Sequence, residues 1–150
     1  MNIQTKYHGE LEIEEQAIIH FEEGIPGFEA EKEFVILSLE QDSPFLILQS
    51  LKTSDLSFVL INPFEYFPDY EVDLSEATIE KLKIENENQV ALFSILTVKD
   101  PFEKTTANLR GPIVINTKVQ VGKQIILNNE KYTTKHQIIT TPVLASEEGK

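Results

Sequence analysis

Catalysis or metal binding needs nucleophiles, proton carriers or ligands at workable spacing, and this chain offers few. It contains no cysteine, so disulfides, thiolate metal sites and a cysteine nucleophile are excluded together. Its three histidines, His8, His20 and His136, lie far apart and form no His-x-x-x-His or His/carboxylate motif. Isolated histidines in strand-like segments read as surface or packing residues. No Gly-x-Ser-x-Gly elbow or phosphate-cradling glycine loop occurs, and the six glycines are scattered among turns. Arg110, the only arginine, could anchor a carboxylate bidentately or serve as a structural ion pair, the second being the commoner use. With 25 acidic residues, carboxylate pairs of the kind used in glycoside hydrolysis arise by chance, and only their spatial separation could give them meaning. The expectation is no catalytic residue, no cofactor and no metal.

The most unusual stretch is Asn62-Pro63-Phe64-Glu65-Tyr66-Phe67-Pro68-Asp69-Tyr70-Glu71, which gathers four aromatics around two prolines. Two readings stay open: a proline-bounded loop whose rings complete the core, or a partly exposed aromatic patch flanked by acids. Interfaces favour tyrosine and phenylalanine because these bury large area with few rotatable bonds. Elimination favours a patch for some of these rings. The glycine turns look committed to the fold and the β-branched runs to the core, while the tail has no aromatics. The candidate partner-binding residues are therefore Phe64, Tyr66, Phe67, Asp69, Tyr70, Glu71 and Asp73, a surface suited to a basic, amphipathic partner.

Charge narrows the partner class. The net charge is −12, and it is regional: residues 1–100 hold 21 acidic and 6 basic side chains, residues 101–150 hold 4 and 7. A nucleic-acid binder needs a cationic surface to displace phosphate counterions, so direct RNA or DNA binding is not expected. The acidity reads either as a solvated surface that confers solubility or as a negative face that attracts a basic protein. No stretch approaches the ~20 apolar residues of a membrane span, and the N-terminus lacks a basic region followed by an apolar run. A soluble, unexported, cytoplasmic protein is expected.

The elements that must hold these residues read mostly as strands. At 150 residues the chain suits one domain, and its 41% hydrophobic content supports a real core. Ile3, Thr5 and Tyr7 alternate with polar residues, His8-Gly9 offers a turn and Leu11 and Ile13 resume the period of two, predicting an N-terminal hairpin. Further strands are predicted over Ala17–Phe21, Phe34–Leu39, Phe45–Leu51, Ser57–Asn62, Val90–Val98, Ile113–Val121, Gln124–Leu127 and Tyr132–Ile139. Turn signals separate them at Gly24-Ile25-Pro26-Gly27, Asp42-Ser43-Pro44, Asp100-Pro101 and Asn128-Asn129. Asp73-Leu74-Ser75-Glu76 resembles a capping box with Asp73 as N-cap, predicting one short helix over Leu74–Lys83 with Leu74, Ala77, Thr78 and Leu82 along one side. The fold class is mostly β: a single-domain antiparallel barrel or sandwich over 1–140 with one short helix, and a flexible tail over 141–150.

Three phrases then carry a resemblance: Phe21-Glu22-Glu23-Gly24-Ile25-Pro26-Gly27-Phe28; Asn62-Pro63-Phe64 with Phe67-Pro68-Asp69-Tyr70; and Ala107-Asn108-Leu109-Arg110-Gly111-Pro112-Ile113-Val114-Ile115-Asn116. In this order they resemble the hallmark phrases of the FliW family of flagellar assembly factors, and the likeness leaves only about the last ten residues outside it. Gly24 and Gly27 can supply turn dihedrals and Ile113-Val114-Ile115 reads as core, so these phrases mark the fold more than the binding site. The resemblance implies a protein without catalysis that binds flagellin while subunits accumulate. When flagellin is exported, it binds and antagonises the basic, RNA-binding translational repressor CsrA, so that flagellin translation follows secretion. It also points to repulsion of RNA rather than direct competition for its site. Two other classes remain alternatives: a small β-barrel module binding a soluble ligand, which needs a pocket with convergent polar groups, and a carboxylate hydrolase, which needs a cleft carboxylate of raised pKa.

Overall fold

The computed structural model describes residues 1–138. The N-terminal hairpin forms as expected. Strands β1 (Asn2–Thr5) and β2 (Gly9–Glu12) pair antiparallel, with Ile3 opposite Leu11, and Gly9 supplies the left-handed backbone of the turn. The body is a barrel. Strands β3 (Ile19–His20), β4 (Glu33–Ser38), β5 (Leu46–Ser50), β6 (Ser57–Ile61) and β7 (Val90–Thr97) follow in order, and β9 (Ile113–Asn116) and β10 (Val121–Gln124) complete the ring. β10 joins β3 by a single parallel pairing, Val121 with His20, and β9 pairs with β7 from Val90 to Phe93, closing seven strands. All other pairings are antiparallel. Two short strands, β8 (Thr106–Ala107) and β11 (His136–Gln137), extend the sheet from the far end of β7.

Each face of the barrel wall has its own core. Phe21, Phe34, Leu48, Leu60, Ile113 and Ile115 meet inside, with Phe34 edge-on to Phe21 at 5.3 Å. The alternate residues of the same strands face outward and are also covered. Val35 packs with Ile3, Ile13 and Ile18 under the hairpin, and Ile61 packs with Tyr70, Leu96, Leu109 and Tyr132 under the aromatic segment. A wall covered on both sides can be apolar at every position, which is why β4 and β6 read as unbroken hydrophobic runs.

Several boundaries differ from the sequence reading. The run predicted over Ile113–Val121 is strand only to Asn116, because the chain turns through residues 117–120 with Gln120 at φ 56°. The next strand is Val121–Gln124, so Ile125–Leu127 of the strand predicted over Gln124–Leu127 is not strand. Ala17 ends a 3-10 turn (Glu15–Ala17), and of Tyr132–Ile139 only His136–Gln137 is strand within the described residues. The described residues hold two short α-helices, not one: α1 (Pro63–Tyr66) and α2 (Glu76–Lys81). The N-cap of α2 is Ser75, not Asp73, since the Ser75 hydroxyl is the group that accepts from Thr78 N at 3.1 Å. Thr78 and Leu82 are buried as expected, but Ala77 is exposed. The tail predicted over 141–150 lies outside the described residues.

The hallmark phrases do hold the fold. Gly24 has φ +68°, and a Cβ there would lie 2.7 Å from the Glu29 backbone. Asn116, fully buried, donates from Nδ2 to the carbonyls of Leu82 and Lys83 at 2.8 and 3.1 Å while its Oδ1 accepts from Lys118 N at 2.9 Å. One side chain thereby ties the end of α2 to the barrel. Replacing Asn116 with Ala leaves those buried groups unpaired, at about 2 kcal/mol. The expected result is a melting temperature lower by roughly 4–8 °C. An unchanged melt would show that the tie contributes nothing.

Candidate partner-binding surface

The aromatic run does not form a plain loop. Asn62 Oδ1 accepts from Phe64 N at 3.0 Å, and Pro63 takes the first helical position, where its missing N–H leaves nothing unsatisfied, so the run opens with the single turn of α1. Tyr70 then anchors the segment from below. It is 4% exposed, and its hydroxyl donates to Leu109 O at 2.6 Å. Its ring stands edge-on to Tyr132 at 4.7 Å, and the Tyr132 hydroxyl accepts from Glu71 N at 2.9 Å. Burial pushes the Tyr70 hydroxyl well above the ordinary tyrosine range, with a smaller push from Tyr132. Tyr70 is thus a core residue that positions the others.

The remaining candidates divide between two hollows. Phe64, 40% exposed and backed by Tyr70 at 5.6 Å, opens onto an apolar groove of about 540 Å³ with Val72, Leu74, Ile79, Ile84, Val90 and Leu92. Tyr66, Phe67, Pro68 and Asp69 border a smaller hollow of about 260 Å³ shared with Lys131, Tyr132 and His136, where Phe67 stands edge-on to His136 at 5.1 Å. Tyr66 and Phe67 are half-buried and pack on the outer core. Asp69, Glu71 and Asp73 are exposed, and none of them is in an ion pair among the described residues. The rings of the run therefore divide, with Tyr70 in the core, Tyr66 and Phe67 half-buried and Phe64 exposed.

Sequence reasoning missed most of the groove. Its wall comes from the end of α2, where Lys83 adopts φ 57°, Lys83 N donates to Glu80 O and Ile84 N reaches back to Ile79 O at 3.0 Å. This is a Schellman ending, which sets residues C3 and C″ side by side, here Ile79 and Ile84. A left-handed lysine gives no signal in sequence, and beyond Phe64 only Leu74 of the groove's lining was singled out there, as one side of the predicted helix. Glu85 and Glu87 rim the groove, which has no lysine or arginine among its lining residues. Glu85 is held below the usual carboxylate range by its hydrogen bond from Gln89 and then by Lys118, 3.4 Å away.

Other candidates resolve as structural. His8 Nε2 lies 2.8 Å from Ser38 O, and His20 Nδ1 lies 3.7 Å from Glu33. Among the described residues no group of three His, Asp or Glu side chains could hold a metal. Arg110 makes no ion pair there either, contrary to the structural ion pair expected of it, and its backbone N–H donates to Thr133 O at 3.2 Å. The carboxylates with a resolved shift, Glu23, Glu29 and Glu85, are all held low rather than raised, the opposite of what a hydrolase acid requires.

Burial of Tyr70 has a signature in pH. Its native pKa lies above the unfolded value of about 10, so its contribution to stability is full below pH 10 and is lost as pH rises beyond it. Tyr70→Phe should melt lower than the parent at pH 7, by the lost bond to Leu109, and should lose less additional stability between pH 10 and 11. Parallel alkaline curves for parent and variant would contradict the assignment.

Comparison with known proteins agrees with the geometry. The FliW protein family model matches residues 2–138. The flagellar assembly factor FliW of Geobacillus thermodenitrificans (strain NG80-2) is 58% identical over 143 residues, covering 95% of this chain and 99% of its own. That of Bacillus subtilis (strain 168) is 52% identical over 138 residues, covering 92% and 96%. A crystal structure of the flagellar assembly factor FliW superposes with TM-score 0.87 at 56% identity, over 93% of this chain and 98% of that one. The seven-strand barrel, the three phrases that build it and the match over nearly the whole length place the chain in the FliW family of flagellar assembly factors, regulatory proteins and not enzymes.

Proposed function

We propose that this protein binds flagellin and, once flagellin is exported and it is free, binds the basic translational repressor CsrA and antagonises its hold on flagellin messenger RNA. The observation that carries this reading is the groove beside Phe64, an apolar trough with an acidic rim in a chain of net charge −12. An apolar floor with a negative edge fits a partner whose own surface is apolar and basic. Antagonism then follows from charge. A strongly negative body docked beside an RNA-binding surface repels phosphate without covering the site, and it makes no contact with nucleic acid itself.

The partner surface comprises Phe64 as the exposed ring, Tyr66 and Phe67 as half-buried support, Asp69, Glu71 and Asp73 as exposed acids, and Tyr70 as the buried anchor. Two separate hollows on one segment suit a protein with two alternative partners. Activity of this kind belongs in the cytoplasm, where unexported flagellin is held as by a chaperone. No helix of the described residues is long and apolar enough to cross a membrane. A ligand-binding barrel is less well supported, because the barrel interior is filled by Phe21, Phe34, Leu48 and Leu60.

The test uses Phe64→Ala and the charge reversal Asp69→Lys with Glu71→Lys, each shown to melt like the parent. Loss of an anchor ring costs about 2 kcal/mol, so Phe64→Ala should weaken at least one partner roughly thirtyfold. The charge reversal should slow association with CsrA, and the parent's association rate should fall as salt rises, because steering is screened beyond a Debye length of about 8 Å at physiological salt. Folded variants that bind both CsrA and flagellin within twofold of the parent would overturn the assignment.

A further inference from the structure

A second site lies where an acidic protein would not be expected to have one. A cleft of about 340 Å³ between the turn after β3, the end of α2 and strand β10 gathers four lysines, Lys32, Lys81, Lys83 and Lys123, around Glu22 and Glu23. It shares no lining residue with the groove beside Phe64. Glu23 bridges two of the lysines, with Oε1 accepting from Lys123 Nζ and Oε2 from Lys81 Nζ, each at 2.5 Å. Lys32 Nζ donates only to the Glu22 backbone carbonyl, at 2.7 Å, and Lys83 is in no ion pair among the described residues. Four ammonium groups against two carboxylates leave a local surplus of positive charge.

Lys123 lies on a barrel strand and Lys81 at the end of α2, and both side chains are less exposed than the carboxylate that bridges them. The side chains of Lys123 and Lys81 are 28% and 34% exposed, whereas that of Glu23 is 51% exposed. Lys123 follows Gly122, where a Cβ would come within 2.8 Å of the Phe21 ring, so the strand is pressed onto the core at that point. Lys81 closes α2, and Asn116 holds the carbonyls of the two residues that follow, Leu82 and Lys83. Glu23, itself exposed, lies just before the buried Gly24, so the carboxylate that covers the pair is carried by a surface side chain. The two ammonium groups, Lys123 first and Lys81 second, hold the Glu23 carboxyl down at about 2.

We propose that this cleft is a carboxylate-binding site, occupied by Glu23 in the free protein, whose Lys81–Lys123 pair accepts an aspartate, glutamate or C-terminal carboxylate from an acidic segment of a partner protein. The ligand chemistry is visible in the structure, since a carboxylate already takes one lysine per oxygen. Exchange replaces one set of charge-assisted hydrogen bonds with an equivalent set, and Lys32 and Lys83 favour a ligand bearing more than one negative charge. Preorganised lysines leave little to be ordered on binding, but competition from Glu23 and solvent screening keep affinity weak, in the range of roughly a millimolar. The site stands independently of the flagellin and CsrA reading.

The test is a titration of ¹⁵N-labelled protein with hexaglutamate at constant ionic strength, reading the amides of Gly24, Gly122 and Lys123. The parent should show saturable shifts there, Glu23→Gln should bind at least threefold tighter because the resident competitor is gone, and Lys81→Gln with Lys123→Gln should lose binding at least tenfold. Lys123→Met alone, judged by the same shifts, serves if the double variant melts early. Inorganic phosphate at matched charge should bind more weakly than hexaglutamate. The proposal is overturned if Glu23→Gln binds no tighter than the parent, if the lysine variants keep the response, or if phosphate matches the peptide.

Discussion

The closure of the barrel through one strand governs everything else in this molecule. β7 is the longest strand, and its eight residues serve three partners: Val90–Phe93 pair with β9, Ser94 and Ile95 with β6, and Leu96 and Thr97 with β8. Pairing with β9 removes the open edge of the barrel and buries Ile113 and Ile115 against Phe21 and Phe34. Continuing past the closure to β8 carries the chain out to Leu109, whose carbonyl is the acceptor that fixes Tyr70.

Because the wall is apolar on both faces, its outer side must be covered, and the covers carry the features that can meet other molecules. The hairpin covers β4 with aliphatic residues such as Ile3 and presents Tyr7 at its turn. The aromatic segment covers Ile61 and Leu96 with more rings than burial requires. Tyr70 and Tyr132 complete the outer core, Tyr66 and Phe67 are half in it, and Phe64 is left over the groove between α1 and the end of α2. One segment of ten residues thus does structural work on its underside and offers an apolar, acid-flanked face on its top.

Legibility in the sequence followed the range of the interactions. Strands with β-branched runs and strong turns, β4 to β7 among them, were readable within a residue or two because their signal is local. The three phrases pointed to the family because glycines such as Gly24 tolerate no substitute where a Cβ would meet backbone. What escaped was whatever depended on distant partners. The N-cap fell on Ser75 rather than Asp73, both of them competent cap residues. The helical turn of α1 hid inside a run that reads as a proline-bounded loop. The burial of Tyr70 depends on a carbonyl 39 residues away, and no periodicity announces it. The groove was invisible because Ile79 and Ile84 meet through a left-handed lysine, and the lysine cleft because it joins residues 100 positions apart.

The proposed function seats a basic protein partner in the groove beside Phe64. The most direct measurement is amide chemical-shift mapping of ¹⁵N-labelled protein titrated with unlabelled CsrA at low salt. The largest perturbations should fall on Phe64, Leu74, Ile79, Ile84, Glu85 and Glu87 and fade as salt is raised. Perturbations centred on the hairpin Asn2–Glu12, with the groove residues unmoved at saturation, would contradict it.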